Sequence, residues 1–88
     1  MSVSITLLFF ASVKDRLGGQ TSSVILLPKN QWTSCEELID FLCSDIIPQV
    51  SDIKTNLALA VNEEYRISGE IVLQDQDRVA LIPPITGG

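Results

Sequence analysis

From Val3 onward, apolar and polar residues alternate: Val3, Ile5, Leu7 and Phe9 fall on one side, Ser4 and Thr6 on the other. A period of two marks a half-buried strand. The alternation then breaks, because Leu8 and Phe10 join the side of Ser4 and Thr6. Either a second layer covers them or they form an exposed apolar patch. Ala11 to Gln20 is a connector carrying Lys14, Asp15 and Arg16, in which Ala11 to Leu17 can make a short helical turn ended by Gly18-Gly19. Thr21 to Leu27 reads as a second strand, with Ser22, Val24 and Leu26 opposite Ser23, Ile25 and Leu27, and Pro28 stops it. A connector of this length with glycines suits a hairpin with a long loop.

Beyond Pro28 the period lengthens. Cys35, Leu38, Ile39, Leu42, Cys43 and Ile46 share one stripe at helical spacing, while Glu36, Glu37, Asp40 and Ser44 face away. Thr33 with Glu36 and Ser34 with Glu37 both fit a capping box, so the N-cap is one of these two. The helix is expected to run to about Ile46, and Pro48 forbids its continuation. Asn56 to Asn62 reads as a third strand, with Leu57, Leu59 and Val61 inward and with Ala58 and Ala60 leaving room for a close neighbour on the other face. Asn62-Glu63-Glu64 reads as a turn and Tyr65 to Ile67 as a short edge strand. Ser68 to Leu73 is a connection or a short helical turn, and Asp75-Gln76-Asp77 turns the chain into a last strand. In that strand Val79 and Leu81 point inward; Arg78, Ala80 and Ile82 point outward.

Hairpin, helix, strand, short strand and final strand define an α+β fold in which one helix stripe covers one sheet face. The compact solution is a β-grasp: a mixed sheet of four or five strands, with the right-handed helical crossover returning the chain to the sheet. The last strand then lies parallel to the first, in the middle. This places Leu8 and Phe10 beside Ile82 on the outer face. Burying such a side chain gains about 1.5–3 kcal/mol, so a partner covers this patch unless Tyr65 and Leu17 fold over it.

Two prolines, Pro83 and Pro84, then stop the strand, since proline lacks the N–H of a sheet ladder and fixes φ. Residues 1–82 are expected to form the domain and residues 83–88 a free tail. From Pro84 to Gly88 the reach is roughly 17 Å when fully extended. Gly87 and Gly88 are slim enough to thread a narrow channel and present a bare carboxylate.

Composition narrows the chemistry. The chain has 88 residues, 45% of them hydrophobic, with a net charge of −5. That suits one small folded domain and disfavours nucleic acid, which calls for a basic footprint. No apolar run approaches the length of a membrane span, and no basic region precedes Val3, so a cytosolic protein is expected. Cys35 and Cys43, eight residues apart on one helix, are separated by about 12 Å of rise, too far for a disulfide. Without histidine, a metal site and a Ser/His/Asp or Cys/His triad are not expected. The pairs Glu36-Glu37 and Glu63-Glu64 point apart as sequence neighbours. What remains reactive is the carboxylate of Gly88.

Leu8-Phe9-Phe10-Ala11, Ala60-Val61-Asn62 and above all Val79-Ala80-Leu81-Ile82-Pro83-Pro84-Ile85-Thr86-Gly87-Gly88 carry a resemblance over essentially the whole chain. The sequence resembles the small, sulfur-carrying subunits of molybdopterin synthase, a ubiquitin-like β-grasp family. The resemblance implies that Gly88 is adenylated by an E1-like activating enzyme and then thiocarboxylated. It implies that Pro83, Pro84, Ile85, Thr86 and Gly87 insert into the active site of the large catalytic subunit. Two sulfur transfers there convert cyclic pyranopterin monophosphate into molybdopterin. Phe10, Tyr65 and Ile82 match interface positions, in agreement with the patch read from the pattern, which adds Leu8. A heterotetramer of two small and two large subunits is implied, with no cofactor on this chain and the catalytic residues on the partner. One departure is Gln76-Asp77, where the family commonly has Gly-Asp. A carrier for thiazole or tRNA thiolation, or a ubiquitin-like modifier, would share the fold and the Gly-Gly end; the Pro-Pro root argues against the other carriers.

Overall fold

Strand β1 (Val3–Phe9) buries every second residue, and Val3, Ile5, Leu7 and Phe9 all enter the core. The computed structural model in which this is seen describes residues 2–66 and 68–83. Helix α1 (Ala11–Arg16) follows at once, and Gly18 and Gly19, both at positive φ, turn the chain back. Strand β2 (Ser22–Leu27) then pairs antiparallel with β1, placing Leu8 opposite Ser22, Thr6 opposite Val24 and Ser4 opposite Leu26.

The main helix, α2 (Cys35–Phe41), starts at Ser34. The Ser34 hydroxyl accepts the Glu37 N–H at 3.1 Å, and the Glu37 carboxylate accepts the Thr33 N–H at 2.7 Å. The two reciprocal bonds satisfy donors that a helix start leaves open, which decides between the two candidate caps. The helix continues through Leu42–Ile46 as a π-turn, in which the Ile47 N–H donates to the Leu42 carbonyl at 2.8 Å. The wider turn adds a residue to the repeat. Cys35, Leu38, Ile39, Leu42 and Cys43 are buried as the stripe predicts, Ile46 only partly, and Ile47 takes the next inward place. Pro48 ends the π-turn and also opens a 3₁₀ segment, Pro48–Asn56, which inserts Val50 into the core. Arg16 of α1 ties this segment down by donating to the Gln49 carbonyl and the Asp52 carboxylate.

Strand β4 (Ala58–Val61) pairs antiparallel with β5 (Glu64–Arg66) through a two-residue turn. Asn62 and Glu63 both sit at positive φ there, the backbone of a hairpin turn that matches sheet twist. Strand β7 (Arg78–Ile82) runs between β1 and β4, parallel to the first and antiparallel to the second. The sheet order is β2-β1-β7-β4-β5 with α2 across the inner face, a β-grasp as the pattern predicts.

Some local expectations change. The stretch Ser68 to Leu73 is not simply a connection or a helical turn: β6 (Ile71–Val72) pairs with β3 (Gln31–Trp32) in a separate two-stranded ribbon. Trp32 and Ile71, opposite each other in it, are both buried, so the ribbon closes one end of the core. The third strand begins at Ala58, because Asn56 still belongs to the 3₁₀ segment. Strand β5 starts at Glu64, one residue before the anticipated Tyr65; Ile67, its expected end, lies outside the described residues. Strand β7 ends at Ile82, and Pro83 beyond it is buried. The tail residues Pro84, Ile85, Thr86, Gly87 and Gly88 also lie outside the described residues.

Candidate functional site: the outer sheet face at the root of the tail

Strand registers alone define the outer face. Ser22, Leu8, Ala80, Ala60 and Tyr65 stand opposite one another in turn, a line crossing all five strands. One step further along, Ile82 stands opposite Ala58, and Phe10 follows Phe9, the partner of Leu81. The residues are brought here by alternation: Phe9, Val79 and Leu81 point into the core, so Leu8, Phe10, Ala80 and Ile82 must point out.

The patch has small residues in the middle and large ones at its rim. Ala80 and Ala60, opposite each other, are 7% and 5% exposed, whereas Phe10 is 47% and Tyr65 65% exposed. Leu8 and Ile82 are half-buried. The alternative in which Tyr65 and Leu17 cover the patch is not what is seen: Leu17 packs against the inner core and Tyr65 projects outward. The structure thus gathers Leu8, Phe10, Tyr65 and Ile82 on one face, at the end where β7 delivers Pro83. Sequence reading did not assign Lys14 and Arg78 to this site. Both line a depression with Leu8, Phe10, Thr21 and Ser22. The available signal was Lys14 one helical turn after Phe10, and Arg78 at an outward position of the last strand.

The start of β7 is fixed by side chains. The Asn62 carbonyl oxygen accepts the Arg78 N–H at 2.9 Å, and its amide donates to Asp77 at 3.0 Å. Asp77 also accepts the Gln74 N–H at 2.8 Å, and Asp75 accepts the Ser4 N–H at 2.9 Å. These bonds lock the turn before β7 to β1 and to the β4–β5 hairpin. Within it Gln76 sits at φ 71°, the left-handed region that glycine adopts most easily.

The described side chains offer little nucleophilic chemistry. Cys35 and Cys43 are buried, and desolvation pushes both thiols above their ordinary range, so they are held protonated. Cys35 donates to the Arg66 carbonyl at 3.2 Å. Among the described residues no group of three or more His, Cys, Asp or Glu is placed to hold a metal, and no helix is long and apolar enough to cross a membrane. The site is an apolar outer face at the foot of the segment that leads to Gly88.

The ThiS family model matches residues 7–88, and so takes in the end of β1, the patch and the final ten residues together. The chain belongs to the ThiS family. Molybdopterin synthase sulfur carrier subunits from Dictyostelium discoideum and Anopheles gambiae are similar to it along its length. The first is 39% identical over 89 residues, covering 100% of both chains; the second is 37% identical over 89 residues, covering 99% of this chain and 94% of the relative. Among solved structures, the complex of subunits 1 and 2 of molybdopterin-converting factor from Helicobacter pylori 26695 contains a similar fold, with a TM-score of 0.67 at 21% identity over 98% of this chain and 100% of that one. In this ThiS-family chain, the β-grasp serves as a rigid mount that holds the patch and the last strand in one frame.

Proposed function

We propose that this chain is the sulfur carrier subunit of a molybdopterin synthase, and that its reactive group is the carboxylate of Gly88. The observation that carries the reading is the joining of two features on one strand: β7 contributes Ala80 and Ile82 to an unpaired apolar face and leads directly into Pro83-Pro84-Ile85-Thr86-Gly87-Gly88. The full-length relatives named as sulfur carrier subunits support it.

The chemistry follows from what a carboxylate lacks. It is a poor electrophile until an E1-like enzyme transfers AMP to it from ATP, releasing pyrophosphate. A sulfur donor then displaces AMP and leaves a thiocarboxylate. The large subunit of the synthase covers Leu8, Phe10, Tyr65 and Ile82 and takes residues 83–88 into its active site, where the thiocarboxylate gives its sulfur to cyclic pyranopterin monophosphate. Enclosing the reactive end keeps water away from it. This chain supplies the sulfur and the docking face, and the large subunit supplies the catalytic groups, in an assembly of two of each. The work is placed in the cytosol.

The test is intact mass after incubation with an activating enzyme, ATP and a sulfur donor. A carrier becomes heavier by the difference between one sulfur and one oxygen atom, and it then supports molybdopterin formation when the large subunit is added. A chain recovered instead in covalent linkage to lysines of other proteins is a modifier, and a thiocarboxylate that the large subunit cannot use belongs to another thiolation route.

A further inference from the structure

The six cations of this acidic chain are not distributed alike. Arg16, Lys29 and Lys54 each meet a carboxylate, of Asp52, Glu37 and Asp40 respectively. Lys14, Arg66 and Arg78 form no ion pair among the described residues. Arg66 stands in register with Leu59, a core residue, and so belongs to the inner face of the edge strand. Lys14 and Arg78 belong to the outer face, where they line one depression with Leu8 and Phe10. With 11 acids to 6 bases in the chain, carboxylates are plentiful, yet among the described residues none pairs with these two. The acids beside Arg78 in sequence are already engaged, Asp75 with the Ser4 N–H and Asp77 with the Gln74 N–H and the Asn62 amide.

We infer that this depression receives an acidic segment of the protein partner, with an apolar side chain against Leu8 and Phe10 and carboxylates on Lys14 and Arg78. The charge pattern selects this occupant. An apolar floor attracts any hydrophobic side chain, but two unpaired cations at its edge favour one flanked by aspartate or glutamate and repel one flanked by lysine or arginine. The local sign is opposite to that of the whole chain, whose net charge is −5. The partner is therefore oriented as well as held: on the outer face, the cations that can receive an acidic surface stand at the root of the tail. This places Lys14 and Arg78 as specificity determinants and rests on the reading above only for the identity of the partner, the large subunit.

The experiment measures binding of the full chain to the large subunit at low salt and at about 1 M, where the Debye length falls to about 3 Å. The double variant Lys14→Gln/Arg78→Gln is expected to bind about tenfold more weakly at low salt and to match the wild type at high salt. Arg78→Glu should bind more weakly than Arg78→Gln, Arg78→Lys should retain binding, and Lys54→Gln on the helix side should change nothing. All of these side chains lie outside the core, and the thermal midpoint confirms that each variant is folded. Equal binding by the double variant and the wild type at low salt overturns the inference, as does equal binding by Arg78→Glu and Arg78→Gln, while the carrier reading stands. If the wild-type chain does not bind the large subunit at all, the carrier reading falls and the inference falls with it.

Discussion

Phe10 occupies two positions at once, and replacing it separates them. It is the exposed rim of the apolar patch, and it is also the N-cap residue of α1, with extended backbone (φ −129°, ψ 152°) and no capping bond from its side chain. A phenylalanine presents on the order of 200 Å², of which 47% is still exposed here. Docking that covers the remainder buries roughly 90 Å², about 2.3 kcal/mol at ~25 cal/mol/Å². Phe10→Ala should therefore weaken binding to the large subunit by roughly 50-fold. Phe10→Asp should weaken it at least as much, since a charge must also be desolvated. Stability should rank the other way. Both variants lose the packing of the covered half of the ring, but aspartate is a favoured N-cap and alanine is not, a difference of about 1 kcal/mol. In a domain of this size the aspartate variant should melt about 4–8 °C above the alanine variant. The assays are calorimetric titration with the large subunit and thermal unfolding of the isolated chain. An aspartate variant that melts well below the alanine variant would place the ring in the core. Unchanged binding of Phe10→Ala would remove the patch from the docking face.

Gly88→Ala adds one methyl group at the tip of the tail and should cut turnover at least ~10-fold, about 1.4 kcal/mol, with the thermal midpoint unchanged; adenylation and sulfur transfer assayed separately will show which channel is the narrow one. Gln76→Gly should raise stability by up to about 1 kcal/mol in denaturant titration, because Gln76 holds the left-handed backbone at φ 71°; a loss of stability would mean that the Gln76 side chain contributes more than its backbone costs. Ser34→Ala should cost about 1 kcal/mol through the lost N-cap. The acid limb should also report the Glu37 carboxyl, held below the ordinary glutamate range by the Thr33 N–H and then by Lys29. A depressed carboxyl stabilises the fold above its unfolded pKa, and that contribution disappears as the pH falls through the folded value. Wild type should therefore lose stability on acidification more steeply than Glu37→Gln, and parallel acid limbs for the two would refute the assignment.

The alternation of β1 announced both faces of the sheet, and its failure at Leu8 and Phe10 announced the patch, because a period of two leaves no freedom in side-chain direction. The prolines after Ile82 marked the end of β7 for an equally local reason. Other features had no such signal. A two-residue strand such as Gln31–Trp32 carries no period, and only its pairing with Ile71–Val72 makes it a strand. The π-turn at Leu42–Ile46 was hidden because the helical stripe assumes a constant repeat. Ile47, pushed out of the helical region ahead of Pro48 at φ −130°, ψ 69°, cannot continue the helix and closes it with a wider bond instead. Lys14 and Arg78 were visible as charges, but their shared depression depends on the parallel pairing of β1 with β7, which brings together the two ends of the chain. The tail could be assigned a role only through its residues and the family they resemble.

That pairing also orders events during synthesis. Strand β7, the last strand to be made, fills the centre of the sheet rather than an edge. Until it emerges, the earlier strands of the five-stranded sheet can form only two separate hairpins, β2-β1 and β4-β5, each with an open edge where β7 belongs. Contacts between distant parts of a chain form late, and unpaired edges invite wrong partners. A nascent or prematurely terminated chain therefore has no complete patch to offer, since Ala80 and Ile82 are missing from its middle. Any copy that has folded has already been translated to within a few residues of Gly88. The outer face is therefore complete only on chains that already carry β7 at the centre of the sheet.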